Sequence, residues 1–248
     1  MMFEFQPAPA SLPRGRRIYA VGDVHGCLGA LRALHAVVAA DLERRPVERP
    51  LLLHVGDYVD RGPDSAGVIE QLSDPTASPV AEVVNLLGNH EDMLLRGLAG
   101  DADMAETWLD NGGDDTLRSW GIVAPSGGDP AAWGAEWEAA IPERHLRFLR
   151  GLRLGVAEGG YWFSHAGVRP DRSLAKQQPH DLVWIREPFL SWRGRLEKVV
   201  VHGHTPREVA EVRPHRIGID TGAVYGGRLT CAVLEDDRVG FVSVPGEA

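Results

Sequence analysis

The stretch NLLGNHED, from Asn85 to Asp92, changes character abruptly at Gly88. An apolar run ends there, and an amide, an imidazole and two carboxylates follow in four consecutive residues. Packing gives no reason for such a group, because a polar side chain costs free energy when it is buried without a partner. We therefore interpret Val83–Leu87 as a buried strand that delivers functional side chains at its end.

Four other short runs follow the same pattern, being rich in β-branched residues or leucine and followed by glycine and polar residues. They are Ile18–Val21, Leu51–Val55, Tyr161–Phe163 and Val199–Val201. Helix-like stretches at 27–45, 63–73 and 90–100 alternate with the early runs. This alternation predicts an α/β fold in which helices cover a sheet.

The rest of the chain has a different pattern. From about Asp101 to Gly151 the sequence is rich in tryptophan, alanine and glycine, and we interpret this part as a helical insertion that roofs one side of a cleft. The tail at 215–244 alternates apolar runs with turns such as Glu235–Arg238, which predicts antiparallel strands and allows a second sheet. We expect residues 1–16 to form a loosely ordered N-terminal arm.

The composition excludes several classes of protein. The 248 residues include 26 Lys and Arg against 35 Asp and Glu, and the net charge of −9 disfavours unaided binding to nucleic acid or an anionic membrane. Cys27 and Cys231 have no CxxC spacing, so neither a disulfide framework nor a thiolate zinc site is indicated. The sequence shows no signal peptide and no run of about 18 apolar residues. We expect a cytoplasmic protein with no nucleic-acid or membrane partner.

Polar residues follow each of the five predicted strands. The five motifs are GDVHG at 22–26, GDYVDRG at 56–62, GNHED at 88–92, SHAG at 164–167 and HGHT at 202–205. Ligand sites of open α/β sheets form at the carboxyl ends of the strands. We therefore expect the five motifs to meet at one place.

The side chains of these motifs suit metal ions. Carboxylates, imidazoles and an amide without a thiolate favour a borderline divalent ion such as Mn, Fe or Zn, and the set exceeds what one ion needs. Asp23 and His25 alternate, so they would share one face of an extended strand end, while Asp57 could offer one oxygen to each of two ions. Two ions about 3.5–4 Å apart can stabilise the attacking and leaving oxygens of an in-line phosphoryl displacement.

The five motifs, in this order, resemble those of the PPP family of metallophosphoesterases. They are most similar to the bacterial and phage λ type of serine/threonine phosphoprotein phosphatase. The resemblance covers about Arg17 to Val244; it is specific at the motifs and weak across Asp101–Gly151. It implies a single calcineurin-like metallophosphoesterase domain at 17–244, a β-sandwich of mixed sheets flanked by helices, with the helical insertion at about 101–151. It also implies two divalent metal ions, for which we expect manganese, with iron or zinc as alternatives.

Residue roles follow from the resemblance position by position. It implies these metal ligands: Asp23 and His25 on the first ion, Asp57 between the ions, and Asn89, His165 and His204 on the second. It makes His90 the general acid, held protonated and oriented by Asp60. Arg61 is the first candidate for binding phosphate oxygens, which guanidinium contacts bidentately, and Arg186 in DLVWIREP is the second. Asn89 completes the substrate-binding set.

We expect a serine/threonine protein phosphatase that hydrolyses phosphoprotein or phosphopeptide esters by direct attack of water at a dinuclear site. The first alternative is a symmetrical bis(5'-nucleosyl)-tetraphosphatase, which the stretch 220–236 also resembles. That group typically has Ala where this chain has Asp60 and Asp where it has Glu91, and its HGHT pattern differs, so these departures favour the phosphatase.

Two other classes are weaker alternatives. A non-catalytic interaction module of the same fold usually lacks metal ligands or the acid histidine, and none of these residue types is missing here. A nuclease or cyclic-nucleotide phosphodiesterase is possible by fold, but the DRG sequence and the acidic net charge oppose it.

Other conspicuous side chains receive structural interpretations. We expect His54 in the core, and we expect His202 to lie beside the site without binding a metal. Cys27 follows the first motif directly, but no thiolate occurs in the other motifs to support a ligand role. Four tryptophans of the insertion are interpreted as packing between helices: Trp108, Trp120, Trp133 and Trp137.

Overall fold

Two β-sheets pack face to face in the computed structural model, which describes residues 4–125 and 127–247. The strands are β1 (Phe5–Pro7), β2 (Arg16–Val21), β3 (Arg49–His54), β4 (Val83–Asn85), β5 (Val156–Glu158), β6 (Tyr161–Phe163), β7 (Val199–His202), β8 (Glu211–Arg213), β9 (Arg216–Gly218), β10 (Arg228–Glu235) and β11 (Arg238–Pro245). The first sheet has the order β1-β11-β10-β2-β3-β4, and the second has the order β5-β6-β7-β9-β8. All five strands predicted from apolar runs are therefore confirmed.

Both sheets are mixed. In the first sheet β2, β3 and β4 run parallel, and the β10–β11 hairpin and β1 add antiparallel strands. In the second sheet β6, β7 and β9 run parallel between antiparallel β5 and β8. The hairpin turn falls between Glu235 and Arg238, as predicted. The hairpin belongs to the first sheet, whereas the second sheet is built from β5 to β9.

Helices cover the outer faces of the sandwich. They are α1 (Leu28–Arg44), α2 (Ser65–Ser73), α3 (Asn89–Leu98), α4 (Ala102–Trp108), α5 (Asp114–Ser119), α6 (Pro130–Ala140), α7 (Glu143–Arg150) and α8 (Pro179–Trp184). The helical stretches predicted at 27–45, 63–73 and 90–100 are confirmed as α1, α2 and α3. The part from Asp101 to Gly151 is helical as expected, with a wide helical turn at 109–113 between α4 and α5. None of the helices in the described part of the chain combines the length and apolar character needed to span a bilayer.

The strand β2 shows why its run is apolar throughout rather than alternating. Ile18 and Ala20 face the second sheet, while Tyr19 and Val21 face the helical layer, and all are fully buried. A strand that is covered on both sides needs apolar side chains on both sides. The outer face of the second sheet is covered in turn by α8 and neighbouring loops. The predicted α/β sandwich of mixed sheets flanked by helices is confirmed.

The expectation of a loosely ordered arm is wrong for Phe5 to Leu12. Phe5–Pro7 pairs with β11, and the N–H of Leu12 donates to the carbonyl of Asp236 at 2.8 Å. The Leu12 side chain is buried and packs in the core between the sheets. This segment is held because β11 would otherwise expose an unpaired edge, which a neighbouring strand satisfies. Residues 1–3 of the predicted arm lie outside the described residues.

Candidate active site

The five motifs meet where the parallel strands of both sheets end. Residues of four of the motifs, all but SHAG, line one pocket of about 220 Å³ together with side chains from other loops. Of the predicted site residues, the pocket is lined by Asp23, His25, Asp57, Arg61, Asn89, His90, Arg186 and His204. The other two, Asp60 and His165, are fully buried behind it. The sheet topology thus brings together side chains that are far apart in the sequence.

The first group of donor atoms surrounds one oxygen of Asp57. His25 Nε2 lies 3.4 Å from Asp57 Oδ2, and His25, Asp57 and His90 each present a ligand atom within 4.8 Å of the others. His25 Nδ1 lies 2.7 Å from the carbonyl oxygen of Val59, which can only accept a hydrogen bond. The Nδ1 atom therefore carries a proton, which leaves Nε2 as the ring atom available to a metal ion.

The second group surrounds the other oxygen of Asp57. His165 Nε2 lies 3.3 Å from Asp57 Oδ1, and His204 supplies the third ligand atom within the same 4.8 Å limit. Asn89 Oδ1 lies 2.9 Å from His165 Nε2 and 2.7 Å from His204 Nδ1. Asp57 is therefore shared by both groups, which is the arrangement that a ligand between two metal ions requires.

Asp23 joins the site through His204. Its Oδ2 accepts the backbone N–H of His204 at 2.9 Å, whereas Asp23 Oδ1 and His204 Nε2 have no hydrogen-bond partner among the described residues. Burial and the charge of His165 lower the pKa of His204 to about 3, so its ring is neutral. Buried polar atoms without partners are costly, and a cation satisfies both a carboxylate oxygen and a neutral imidazole.

The charges of the site also call for cations. Burial disfavours the charged form of Asp57, but His165, His90 and His25 together outweigh this and hold the pKa of Asp57 well below its usual range. Burial likewise opposes the charged form of His25 and of His165, yet contact with Asp57 raises the pKa of both rings. Burial and the charges of Asp220 and Asp57 raise the pKa of Asp23 well above its usual range. The donor types, the unpartnered atoms and this excess of negative charge fit a pair of divalent ions.

The backbone of the motifs is held in uncommon conformations. The non-glycine residues with left-handed φ in the described chain include His25 (43°), Asp57 (52°), Asp60 (76°), Arg61 (68°) and His204 (66°). Such conformations cost about 1–3 kcal/mol each and persist where surrounding contacts enforce them. A Cβ atom on Gly203 would lie 1.8 Å from Asp23 Oδ1, so only glycine allows the chain to pass this close to the carboxylate.

Glu91 organises the loop that carries Asp57. Its carboxylate accepts the N–H groups of Asp57, Tyr58 and Val59 at 2.9, 2.7 and 3.2 Å, and that of Gly88 at 3.0 Å. Burial and the charge of Asp57 raise the pKa of Glu91 to about 7, and the N–H groups work against that rise. Glu91 therefore joins the loop after β3 to the start of α3 without touching the pocket itself.

The imidazole of His90 is paired with Asp60 behind the pocket. His90 Nδ1 lies 2.5 Å from Asp60 Oδ2, and both side chains are almost completely buried. The His90 and His25 rings meet edge to face, with centroids 4.6 Å apart. Arg61 lies over the ring of Tyr225 at 5.8 Å, and Arg186 is exposed at the pocket rim. The pocket therefore presents an imidazole and two guanidinium groups beside the metal-ligand groups.

Several side chains of the site were not identified from the sequence. They are Asn111, Trp184, Asp220 and Tyr225 in the pocket, and Trp108 and Thr116 behind it. Asp220 had a usable signal, because it follows the apolar run at the end of β9 as the other motifs follow their strands. The interpretation of Trp108 as packing alone is incomplete: the ring packs on Trp137, and its N–H also donates to Asp60.

The remaining histidine and cysteine interpretations agree with the structure. His54 is buried between His35 and Asn85, and His202 packs against Phe189 outside the pocket. Cys27 is buried and does not line the pocket, and burial raises the pKa of its thiol to about 11. A larger cavity of about 400 Å³ lies against His54 and contains none of the predicted site residues.

Comparisons with known proteins agree with this geometry. A family model described as calcineurin-like phosphoesterase matches residues 16–242. The chain is 31% identical to serine/threonine-protein phosphatase 1 of Salmonella typhimurium, covering 89% of this chain and 93% of the relative. It is 28% identical to the symmetrical bis(5'-nucleosyl)-tetraphosphatase of Nitrosospira multiformis, covering 90% and 94%. The crystal structure of a candidate diadenosine tetraphosphatase, 26% identical, superposes with a TM-score of 0.65 over 93% of each chain. The chain belongs to the calcineurin-like phosphoesterase family, whose members use a dinuclear metal centre.

Proposed function

We propose that this phosphoesterase is a serine/threonine protein phosphatase that removes phosphate from phosphoproteins. Asp23, His25, Asp57, Asn89, His165 and His204 would hold its two metal ions, for which we propose manganese. When bound, two such ions supply Lewis-acid stabilisation of the phosphate oxygens and lower the pKa of water. The similarity to the Salmonella phosphatase supports this assignment of substrate.

The other residues of the pocket act on the substrate directly. Arg61 and Arg186 bind the phosphate oxygens, and the amide of Asn89 lies where it can donate to one of them. His90 donates a proton to the departing alkoxide, and the contact of its Nδ1 with Asp60 keeps the ring correctly turned. The acid and the guanidinium groups face one pocket, so the same substrate can meet all of them.

The His90–Asp60 pair is the observation on which the choice of substrate depends. A serine or threonine alkoxide is a poor leaving group, and an acid that protonates it can contribute about 10²–10⁴-fold in rate. Cleavage of a dinucleoside tetraphosphate releases a nucleotide whose terminal phosphate is stable as an anion and hardly needs that proton. A buried and tightly held acid pair therefore supports a phosphomonoester substrate.

A symmetrical bis(5'-nucleosyl)-tetraphosphatase is the second candidate. Two of the compared proteins carry tetraphosphatase names, and each is similar over about the whole chain. In addition, the ring of Tyr225 is 62% exposed at the pocket, where a nucleobase could stack on it.

A comparison of three substrates separates the candidates. With Mn²⁺ present, kcat/KM is measured for a phosphoserine peptide, a phosphotyrosine peptide and diadenosine tetraphosphate. We expect kcat/KM for the phosphoserine peptide to exceed that for the tetraphosphate by about ten-fold or more, because the acid pair assists the release of a poor leaving group. The reverse order would replace our proposal by the tetraphosphatase. Inactivity on all three with two ions bound would favour an interaction module.

A further inference from the structure

Asp60 is held by residues of the helical part from Asp101 to Gly151 as well as by His90. The indole N–H of Trp108 lies 2.9 and 2.8 Å from the two carboxylate oxygens, and the hydroxyl of Thr116 lies 2.7 Å from Oδ1. His90 Nδ1 contacts the same carboxylate, 2.5 Å from Oδ2. Asp60, Trp108 and Thr116 have no measurable exposure, so water does not compete for these hydrogen bonds. Charge-assisted hydrogen bonds of this kind fix both the position and the plane of a carboxylate.

Thr116 contacts the backbone of Asp60 as well as its side chain. The N–H of Asp60 donates to Thr116 Oγ1 at 2.8 Å, and the Thr116 O–H donates to the Asp60 carboxylate. Asp60 has a φ of 76°, a conformation that costs about 1–3 kcal/mol in a non-glycine residue and needs enforcing contacts. The threonine hydroxyl thus holds the strained backbone and the carboxylate together.

The same segment also reaches the next residue along the chain. The N–H of Arg61 donates to the carbonyl of Gly112 at 3.3 Å, and Arg61 Nη2 donates to Asn111 Oδ1 at 3.4 Å. Gly112 itself has a φ of 95°, and a Cβ atom there would lie 2.8 Å from Arg61 Cγ. Residues 108–116 therefore pack closely against Asp60 and Arg61 and hydrogen-bond to both. They lie in the part of the sequence where the family motifs are absent.

We propose that Trp108 and Thr116 are positioning residues for acid catalysis. They hold the Asp60 carboxylate so that it turns the His90 ring toward the leaving group. They touch neither the phosphate nor the metal-ligand groups, so they act only through Asp60. The inference rests on the proposed role of His90, but it is independent of which phosphomonoester is the natural substrate.

The test uses Trp108→Phe, which removes the indole N–H while keeping an aromatic ring, and Thr116→Val, which removes the hydroxyl while keeping the shape of the side chain. Their kcat and KM are measured on a series of aryl phosphates from p-nitrophenyl phosphate to phenyl phosphate, with Mn²⁺ added. We expect kcat to fall by about 10²-fold on phenyl phosphate and much less on p-nitrophenyl phosphate, because a misplaced acid matters most for the poorest leaving group. We expect KM to stay near the wild-type value.

Two further variants serve as controls. Thr116→Ser keeps the hydroxyl and should restore the wild-type dependence on the leaving group. Trp120→Phe removes an indole N–H that donates to His145 at 2.9 Å within the same helical segment, away from the pocket, and should leave the dependence unchanged. Equal losses across the whole aryl series, or no loss in either main variant, would overturn the inference. A wild-type enzyme inactive on every ester would instead overturn the proposed function.

A spectroscopic readout does not depend on activity, and its first result is obtained on the wild-type enzyme. In the wild-type enzyme loaded with diamagnetic Zn²⁺, the His90 Nδ1–H proton should give a strongly downfield NMR signal, assigned by its loss in His90→Asn. The signal should persist in Thr116→Ser and shift or broaden in Thr116→Val. Absence of the signal from the wild-type enzyme would show that the His90–Asp60 contact is not held as proposed.

Discussion

Replacing Glu91 by glutamine tests how the loop that carries Asp57 is held against α3. The two oxygens of Glu91 accept two backbone N–H groups each: Oε2 from Asp57 and Gly88, and Oε1 from Tyr58 and Val59. Glutamine has the same shape but offers one oxygen and one NH2 group. Whichever way the amide turns, two buried N–H groups lose their acceptor and face another donor.

The expected loss of stability follows from the number of N–H groups that lose their acceptor. A buried donor that loses its only acceptor costs about 1–3 kcal/mol, so Glu91→Gln should lower the free energy of unfolding by about 2–6 kcal/mol. The measurement belongs at about pH 8, above the pKa of about 7 that burial gives Glu91, so that the wild-type carboxylate is ionised. The loosened loop carries Asp57, so metal binding should weaken as well.

The assay is urea-induced unfolding of the metal-free protein, in which bound ions add nothing to the measured stability. A matched control is Glu106→Gln on α4, where the side chain is exposed, and there we expect a change within about 0.5 kcal/mol. A cost below about 1 kcal/mol for Glu91→Gln would show that the four N–H groups find other acceptors, and the reasoning would be wrong.

Three other predictions test the site and the core. His90→Asn should lower kcat on a phosphoserine peptide by about 10²–10⁴-fold and affect p-nitrophenyl phosphate far less; equal losses would contradict the acid role. Asp57→Asn should weaken the binding of both metal ions by about ten-fold or more, since Asp57 belongs to both donor groups. A calorimetric Mn²⁺ titration that gave two unchanged affinities would refute the shared role of Asp57. Burial lowers the pKa of His35 to about 4 and of His54 to about 3, so the unfolded chain binds more protons below about pH 6.5. The free energy of unfolding should therefore decrease as the pH falls from about 6.5 to about 4, and less so in His54→Gln; an equal decrease in that variant would exclude the histidine pair as the cause.

Local patterns in the sequence predicted most of the elements that build the site. The run Val83–Leu87 and its four counterparts are apolar because their strands are covered on both faces. Such strands can therefore be predicted from their apolar residues alone. The polar residues follow each run immediately, as in GNHED, and parallel strands bring their carboxyl ends to one edge. The metal-ligand candidates were accessible from the sequence because each one stands within a few residues of a strand end.

Long-range contacts were not accessible in this way. Trp108 and Thr116 lie 48 and 56 residues from Asp60 in the sequence, and only the packing of α4 and α5 brings them to its carboxylate. Phe5–Pro7 has too little apolar periodicity to indicate a strand, and it becomes one because β11 offers an open edge.

The sequence by itself determined the five strands that carry the motifs, the helices between the early ones and the chemical types at the strand ends, since all of these depend on neighbouring residues. The tertiary structure alone decided which side chains hold the acid pair and how Glu91 holds the loop that carries Asp57. The physical reason is that hydrogen bonds between distant residues depend on where whole elements pack, which no local pattern records.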